Sequence, residues 1–320
     1  MQDRLRPFQS KVAKRLIAAA VLAASALFLG YNLYRNWQEL RGYHWQFHYP
    51  YLLLAAIALV VTFVSNIAGW GLIIERLGGP RSFRKNAEIY CLAAHGKRLP
   101  GLFWYVAGRG YLYEREGIPV SVTVQASLWE MVFQMLAGLT LYIVLWPLYE
   151  ETSYGFLNYV LLAAIPLLLL TFSPLVFRRV LQRVGRDQSE AKVIQLGWRD
   201  KLLWFCVYLA GWLTGGSILY FLAKSVSSVS LTFLPACWGF VALSGVISVV
   251  SFFLPGGAGV REISLSLLLS SYIPLYVAIA LALLFRVWIL LGETILLILV
   301  WSASKSTLWN RIGDLTQTDY

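Results

Sequence analysis

The chain has 320 residues, 58% of them hydrophobic and 13% charged, about half the charged share of a soluble domain. With a mean hydropathy of +0.64 and several unbroken apolar runs of about 20 residues, it reads as an all-α polytopic membrane protein; a soluble domain and a β-barrel of alternating strands are both excluded. The net charge of +11 sits in the gaps between apolar runs, where positive charge sets topology and meets anionic lipid, so nucleic acid is not an expected partner.

Residues 1–15 are basic and polar and form a cytoplasmic N-terminus. An apolar run over 16–34 imitates a signal peptide, but more membrane follows it, so it reads as an uncleaved first span. Residues 35–50 are rich in Trp, Tyr and His, the composition of a membrane interface. His44 and His48 are flanked by aromatics and suit that interface better than a metal. A second span covers 51–74. Its Ser65, Asn66, Gly69 and Gly71 suit close helix packing and one interhelical hydrogen bond.

Residues 75–120 carry eight Lys/Arg against four Asp/Glu, with a short helix expected over 84–95 and Ser82 as its cap. Arg98-Leu99-Pro100-Gly101 and Gly108-Arg109-Gly110 follow, and no piece of this region is long enough to span alone. Further spans are expected over 122–145, containing Glu130 and Gln134, over 156–177 and over 202–223. A basic loop at 178–201 has seven Lys/Arg against three Asp/Glu. Apolar residues 231–253 lead into Leu254-Pro255-Gly256-Gly257-Ala258-Gly259-Val260-Arg261-Glu262, then a short apolar piece to Tyr272 and a long last span to about Trp301. Residues 303–320 form a polar cytoplasmic tail, leaving 16–302 as one transmembrane domain.

The positive-inside rule puts the N-terminus, residues 75–120 and residues 178–201 on the cytoplasmic side. The C-terminal tail then shares that side only if residues 231–272 enter and leave on the far face. Residues 263–272 span roughly 15 Å as helix, half a bilayer, so a re-entrant hairpin fits. The same reasoning applies to about 84–110 from the cytoplasmic face. The expected architecture is about seven spanning helices plus two re-entrant or broken-helix elements. The paired Leu-Pro-Gly triplets, each followed by an arginine, suit an inverted repeat with a translocation site.

Charges at this depth cost at least roughly 2.5–3.5 kcal/mol each and persist when paired or facing water. One reading is a Glu130–Arg286 ion pair that fixes packing. The other has Arg109, Arg261 and Arg286 lining a cavity for an anionic head group, since the guanidinium fork suits phosphate, with Glu130 and Glu262 orienting the arginines or meeting a cationic part of the substrate. Pro100, Gly101, Pro255, Gly256, Gly257 and Gly259 would supply the gating backbone. Glu293 lies seven residues after Arg286 on the same helical face. Nothing resembles a soluble active site or a nucleotide fingerprint. Neither the three cysteines nor the three histidines make a metal set, so no metal or cofactor is expected.

At these residues the chain resembles the lysylphosphatidylglycerol synthase transmembrane-region family, that of the flippase domain of the multiple peptide resistance factor. The resemblance runs from about 15 to 303, and the Leu254–Glu262 block is its most specific part. It places Pro100, Gly101, Arg109, Glu130, Pro255, Gly256, Gly259, Glu262 and Arg286 on recurrent positions. It implies a bacterial or archaeal inner-membrane protein that moves lipids between leaflets, in phospholipid, glycolipid, hopanoid or polyprenyl-linked pathways. Aminoacyl-transferring members append a soluble synthase domain; with the chain ending at Tyr320, aminoacyl-lipid synthesis is not expected. Membrane lipids are the expected partners. A membrane-embedded enzyme using Glu130 or Glu262 as acid/base, a scaffold for a glycosyltransferase or other lipid-modifying enzyme, and a homo-oligomer stay open alternatives.

Overall fold

A computed structural model describes residues 6–43, 48–94, 96, 103–149, 197–251, 254 and 257–303, and every regular element among them is helical. In chain order these are α1 (Arg6–Arg35), α2 (Trp37–Gly42), α3 (Tyr49–Arg76), α4 (Phe83–Ala94), α5 (Phe103–Glu114), α6 (Val120–Leu145), α7 (Trp198–Val226), α8 (Leu234–Val250), α9 (Val260–Leu269) and α10 (Leu275–Ala303). Among the described residues, five helical stretches are long and apolar enough to cross a membrane: Tyr49–Arg76, Val120–Leu148, Trp198–Val226, Leu231–Val250 and Leu275–Val300. Their outer faces keep Leu53, Val60, Leu291 and Ile295 more than half exposed, as a lipid-facing surface requires. The expected span over 156–177 and most of the 178–201 loop lie outside the described residues.

The longest interface joins α3 and α7. It is tied at one end by Arg76 donating to Asp200 at 2.9 Å, and at the other by the His48 N–H donating to the Ser225 carbonyl at 2.8 Å. The two helices therefore run antiparallel along their whole length. Small residues permit this closeness. A side chain at Gly69 would lie 3.0 Å from the Tyr208 ring. The expected interhelical hydrogen bond is present, but Thr62 makes it, donating to Thr214 at 2.8 Å, while the Asn66 side chain lies against Gly211 of α7.

Each of these long helices is followed by a broken element. After α3, helices α4 and α5 form a hairpin whose two ends meet at its base. There Lys85 pairs with Glu116, and the Tyr113 hydroxyl donates to Asn86 Oδ1 at 2.8 Å. Ser82 caps α4 as expected, accepting from the Lys85 N–H at 3.4 Å. After α7, helices α8 and α9 form the second hairpin, closed by Tyr272 against Phe233 and Phe240, with ring centroids 5.3 and 5.9 Å apart. Since α3 and α7 are antiparallel, the two hairpins are based at opposite ends of the protein. With 12, 12 and 10 residues, α4, α5 and α9 reach only about 15–18 Å, about half the roughly 30 Å hydrocarbon layer. The first arm of the second hairpin, Leu231–Val250, is long enough to cross by itself.

The element order α3–hairpin–α6 is thus repeated as α7–hairpin–α10. Packing repeats as well: α4 lies against α10 and α8 against α6, so each hairpin contacts the last helix of the other half. Two apolar cores result, one around Trp70, Tyr113, Phe133 and Trp204, the other around Tyr142, Phe240, Leu265 and Phe285.

The break before α9 needs glycine. Gly257 and Gly259 have φ of 64° and 84°, and Gly259 packs on Ser25 of α1, leaving no room for a side chain. The Glu262 carboxylate accepts from the Gly259 N–H at 2.7 Å, closing the first turn of α9. Gly259→Ala is expected to cost about 1–2 kcal/mol from the dihedral alone, plus the clash with Ser25. Thermal unfolding in detergent should show Ser25→Gly restoring the steric share of the loss and not the dihedral share.

Candidate functional site

Helices of both hairpins and the long helices line a cavity of about 290 Å³. It is reached by every helix from α3 to α10, and its charged lining residues are Glu130, Arg261, Arg286 and Glu293. Glu130 lies ten residues into α6 and Arg286 eleven into α10, each about 15–17 Å from the helix start, the middle of a hydrocarbon layer.

Two ion pairs organise these charges. Arg109 of α5 is fully buried. It grips the Glu130 carboxylate with both terminal nitrogens, Nη1 to Oε2 and Nη2 to Oε1 at 3.4 Å. Its guanidinium is stacked among rings, with Cζ 3.6 Å from the Trp70 centroid and 4.0 Å from that of Tyr105. The Tyr105 hydroxyl donates to Glu130 Oε2 at 3.2 Å. Behind this cage the Trp70 indole N–H donates to the Tyr113 hydroxyl at 2.8 Å, which passes the chain on to Asn86 and the Pro80 carbonyl. Charge, stacking and hydrogen bonds together hold an arginine where its burial alone would be costly.

In the other half the signs are exchanged. Glu262, on the hairpin helix α9, caps its own helix with one oxygen and faces Arg286 Nε of α10 at 3.5 Å with the other. The Glu130–Arg286 pair expected from the sequence is therefore replaced by Arg109–Glu130 and Glu262–Arg286. The physical reason is that each short hairpin helix packs on the long helix that follows it, which brings these charges together before the halves meet.

Arg261 differs from both paired arginines. Among the described residues it has no carboxylate within ion-pair distance, and its buried Nε has no hydrogen-bond partner. Its guanidinium lies 5.4 Å from the Phe285 ring centroid, at the cavity wall.

Of the residues expected to bind substrate, Glu130, Arg261 and Arg286 line the cavity, whereas Arg109 and Glu262 stand behind them as their buried supports. Gly257 reaches the wall and Gly259 shapes the turn; Pro100, Gly101, Pro255 and Gly256 lie outside the described residues. Asn66, Gln134, Tyr208 and Glu293 also line the cavity. Two of these carried a signal, since Gln134 is one turn from Glu130 and Glu293 two turns from Arg286. Tyr208, one of 18 tyrosines, carried none. Among the described residues, no group of three His, Cys, Asp or Glu side chains could hold a metal.

Comparison with known proteins places one family on this chain: the profile described as Lysylphosphatidylglycerol synthase TM region matches residues 15–309. No curated protein matches the sequence significantly.

Removing one partner of the buried Arg109–Glu130 pair strands the other charge. Glu130→Gln is expected to destabilise the protein by about 3–5 kcal/mol, and Arg109→Met by a similar amount. The double substitution should cost less than the sum of the singles, read as coupling in a double-mutant cycle of unfolding in mixed micelles.

Proposed function

The chain belongs to the lysylphosphatidylglycerol synthase transmembrane-region family, and on that premise we propose that it is a lipid translocase of the cytoplasmic membrane, passing a phosphate-bearing head group through the central cavity while the lipid tails stay in the bilayer. The observation that carries this reading is Arg261, a cation at the wall of a mid-depth cavity with, among the described residues, no carboxylate in ion-pair contact. A guanidinium so placed needs an anion or water, and a lipid phosphate supplies the former with a geometry that the fork matches. Arg286 lines the same cavity and adds a second positive group.

Two features of the fold support movement. The hairpins are based at opposite ends, and each contains helices too short to cross, α4 and α5 in the first and α9 in the second. Irregular backbone at such depth is tolerated where it borders a polar cavity. The repeated halves also provide two comparable gates around one site. In this reading both termini are cytoplasmic, and the α4–α5 hairpin enters from the cytoplasmic side.

A catalytic reading would use Glu130 or Glu262 as acid or base. Both carboxylates are held as acceptors by arginine, and Glu262 also by a backbone N–H, an arrangement that suits a supporting role.

The test is reconstitution of the full chain into liposomes holding a fluorescent phospholipid whose outer-leaflet fraction is reduced by dithionite. Wild type should expose the inner-leaflet fraction, Arg261→Ala should slow this by about tenfold or more, as loss of a charged contact predicts, and the exposed Arg84→Ala should not. A rate unchanged by Arg261→Ala would remove the proposed site.

A further inference from the structure

The α3–α7 interface ends, opposite the Arg76–Asp200 tie, in a cation that the central cavity does not use. Lys224, in the last turn of α7, is the only charged residue between Lys201 and Arg261. Its neighbour Ser225 is the residue whose carbonyl takes the His48 N–H, so Lys224 stands where the start of α3 meets the end of α7. In the orientation proposed above this is the far face, the side on which basic residues are disfavoured. The lysine is half-buried there. Its Nζ donates to the hydroxyl of the buried Tyr220 at 3.2 Å and lies 5.1 Å from the ring centroid of Tyr51 and 5.6 Å from that of Tyr220. The His48 ring packs edge-on against Tyr51, with centroids 6.2 Å apart.

The negative pole of the α7 C-terminus favours a cation at this position. It does not explain the tyrosines. Their rings attract the ammonium without neutralising it, and among the described residues no Asp or Glu pairs with Lys224. An ammonium has three N–H donors, and each phenol keeps an O–H to donate, so the cluster offers donors and a positive charge with no carboxylate to consume them. That is the donor set of a phosphate diester. The ends of spans, where Tyr and Lys gather, are also the level of lipid phosphates. Beyond Tyr51 along α3, Leu54 and Ile57 follow at three-residue steps and are exposed, an apolar track for acyl chains leading into the bilayer.

We infer that Lys224, Tyr51 and Tyr220 bind the phosphate of an anionic phospholipid in the leaflet at that face, with its chains along Leu54 and Ile57. None of the three head-group residues lines the central cavity, so the site is separate from the translocation path. The lipid bridges α3 and α7 at the His48–Ser225 end, as the Arg76–Asp200 pair bridges them at the other. The inference does not rest on translocation; orientation decides only which leaflet supplies the lipid.

The test is native mass spectrometry of the full chain in detergent, titrated with dioctanoyl phosphatidylglycerol, dioctanoyl phosphatidylcholine, dioctanoylglycerol and inorganic phosphate. Wild type should hold a phosphatidylglycerol that survives Arg261→Ala and is therefore outside the cavity. Lys224→Met should weaken that lipid about tenfold, as loss of a charged contact predicts; Tyr51→Phe should weaken it several-fold, and Lys224→Arg should keep it. Phosphatidylcholine, whose choline offsets the phosphate charge, should bind more weakly. Dioctanoylglycerol and inorganic phosphate should neither occupy the site nor empty it. Unfolding temperatures without lipid check the fold of each variant, and if Lys224→Met does not fold, Tyr51→Phe carries the test. A phosphatidylglycerol affinity unchanged by these substitutions, its loss in a folded Arg261→Ala chain, or equal retention of dioctanoylglycerol would overturn the inference. Displacement of the lipid by inorganic phosphate would overturn its assignment to a lipid and leave a site for free anions. A chain that holds this lipid and moves none in vesicles would refute translocation and leave the site standing.

Discussion

The requirement that charge at membrane depth be paired shapes this protein more than any other constraint. An unpaired arginine or glutamate at mid-span costs several kcal/mol, and the fold meets that cost twice in the same way. A short helix of a hairpin presents one charge to the long helix that follows it: Arg109 to Glu130, and Glu262 to Arg286. Each pair fixes a segment too short to span on its own. Of the six embedded charges, Arg109, Glu130, Glu262 and Arg286 are so engaged, and Arg261 and Glu293 line the cavity beside them.

The two pairs are not equally buried, and the difference has consequences. Arg109 is fully enclosed by Trp70, Tyr90, Tyr105 and Glu130, a site closed to water and suited to holding two helices in one register. Arg286 keeps 23% of its side chain exposed against 7% for Glu262, so an incoming anion can compete for it. Glu262 also closes the first turn of α9 at Gly259. The Arg286 contact and the glycine break therefore share one carboxylate.

Much of this was legible in the sequence. The apolar runs over 51–74, 122–145 and 202–223 and the last span were marked to within a few residues, because a lipid-facing helix must be apolar over a fixed length, whereas Leu231–Val250, expected as the arm of a re-entrant hairpin, is long enough to cross. Charge asymmetry and segment length pointed to broken elements in the two regions where hairpins occur. Glu130, Arg261 and Arg286 were legible as cavity residues, since embedded charges are rare. The partners of those charges were not legible: a Glu130–Arg286 pair is as reasonable by helical depth as the pairs found, and only the packing of α5 on α6 and of α9 on α10 decides between them. Tyr208 was hidden, and the lack of partners at Asn66 and Gln134 was too, for a related reason. A neutral polar residue in a span ordinarily bonds within the protein, as Thr62 does, and its lack of a partner shows only in three dimensions.

The account stands on the cavity being a polar compartment reached from the membrane surfaces, not a sealed packing defect. The most direct measurement is labelling of a single cysteine at Gln134, in a chain whose Cys91, Cys206 and Cys237 have been replaced, by a membrane-impermeant thiol reagent applied to either side of oriented vesicles. The account predicts labelling from both sides, slowed by a phosphate-bearing lipid and unaffected by a neutral diacylglycerol. Absence of labelling from either side, with a surface cysteine at Arg84 labelled normally, would contradict it.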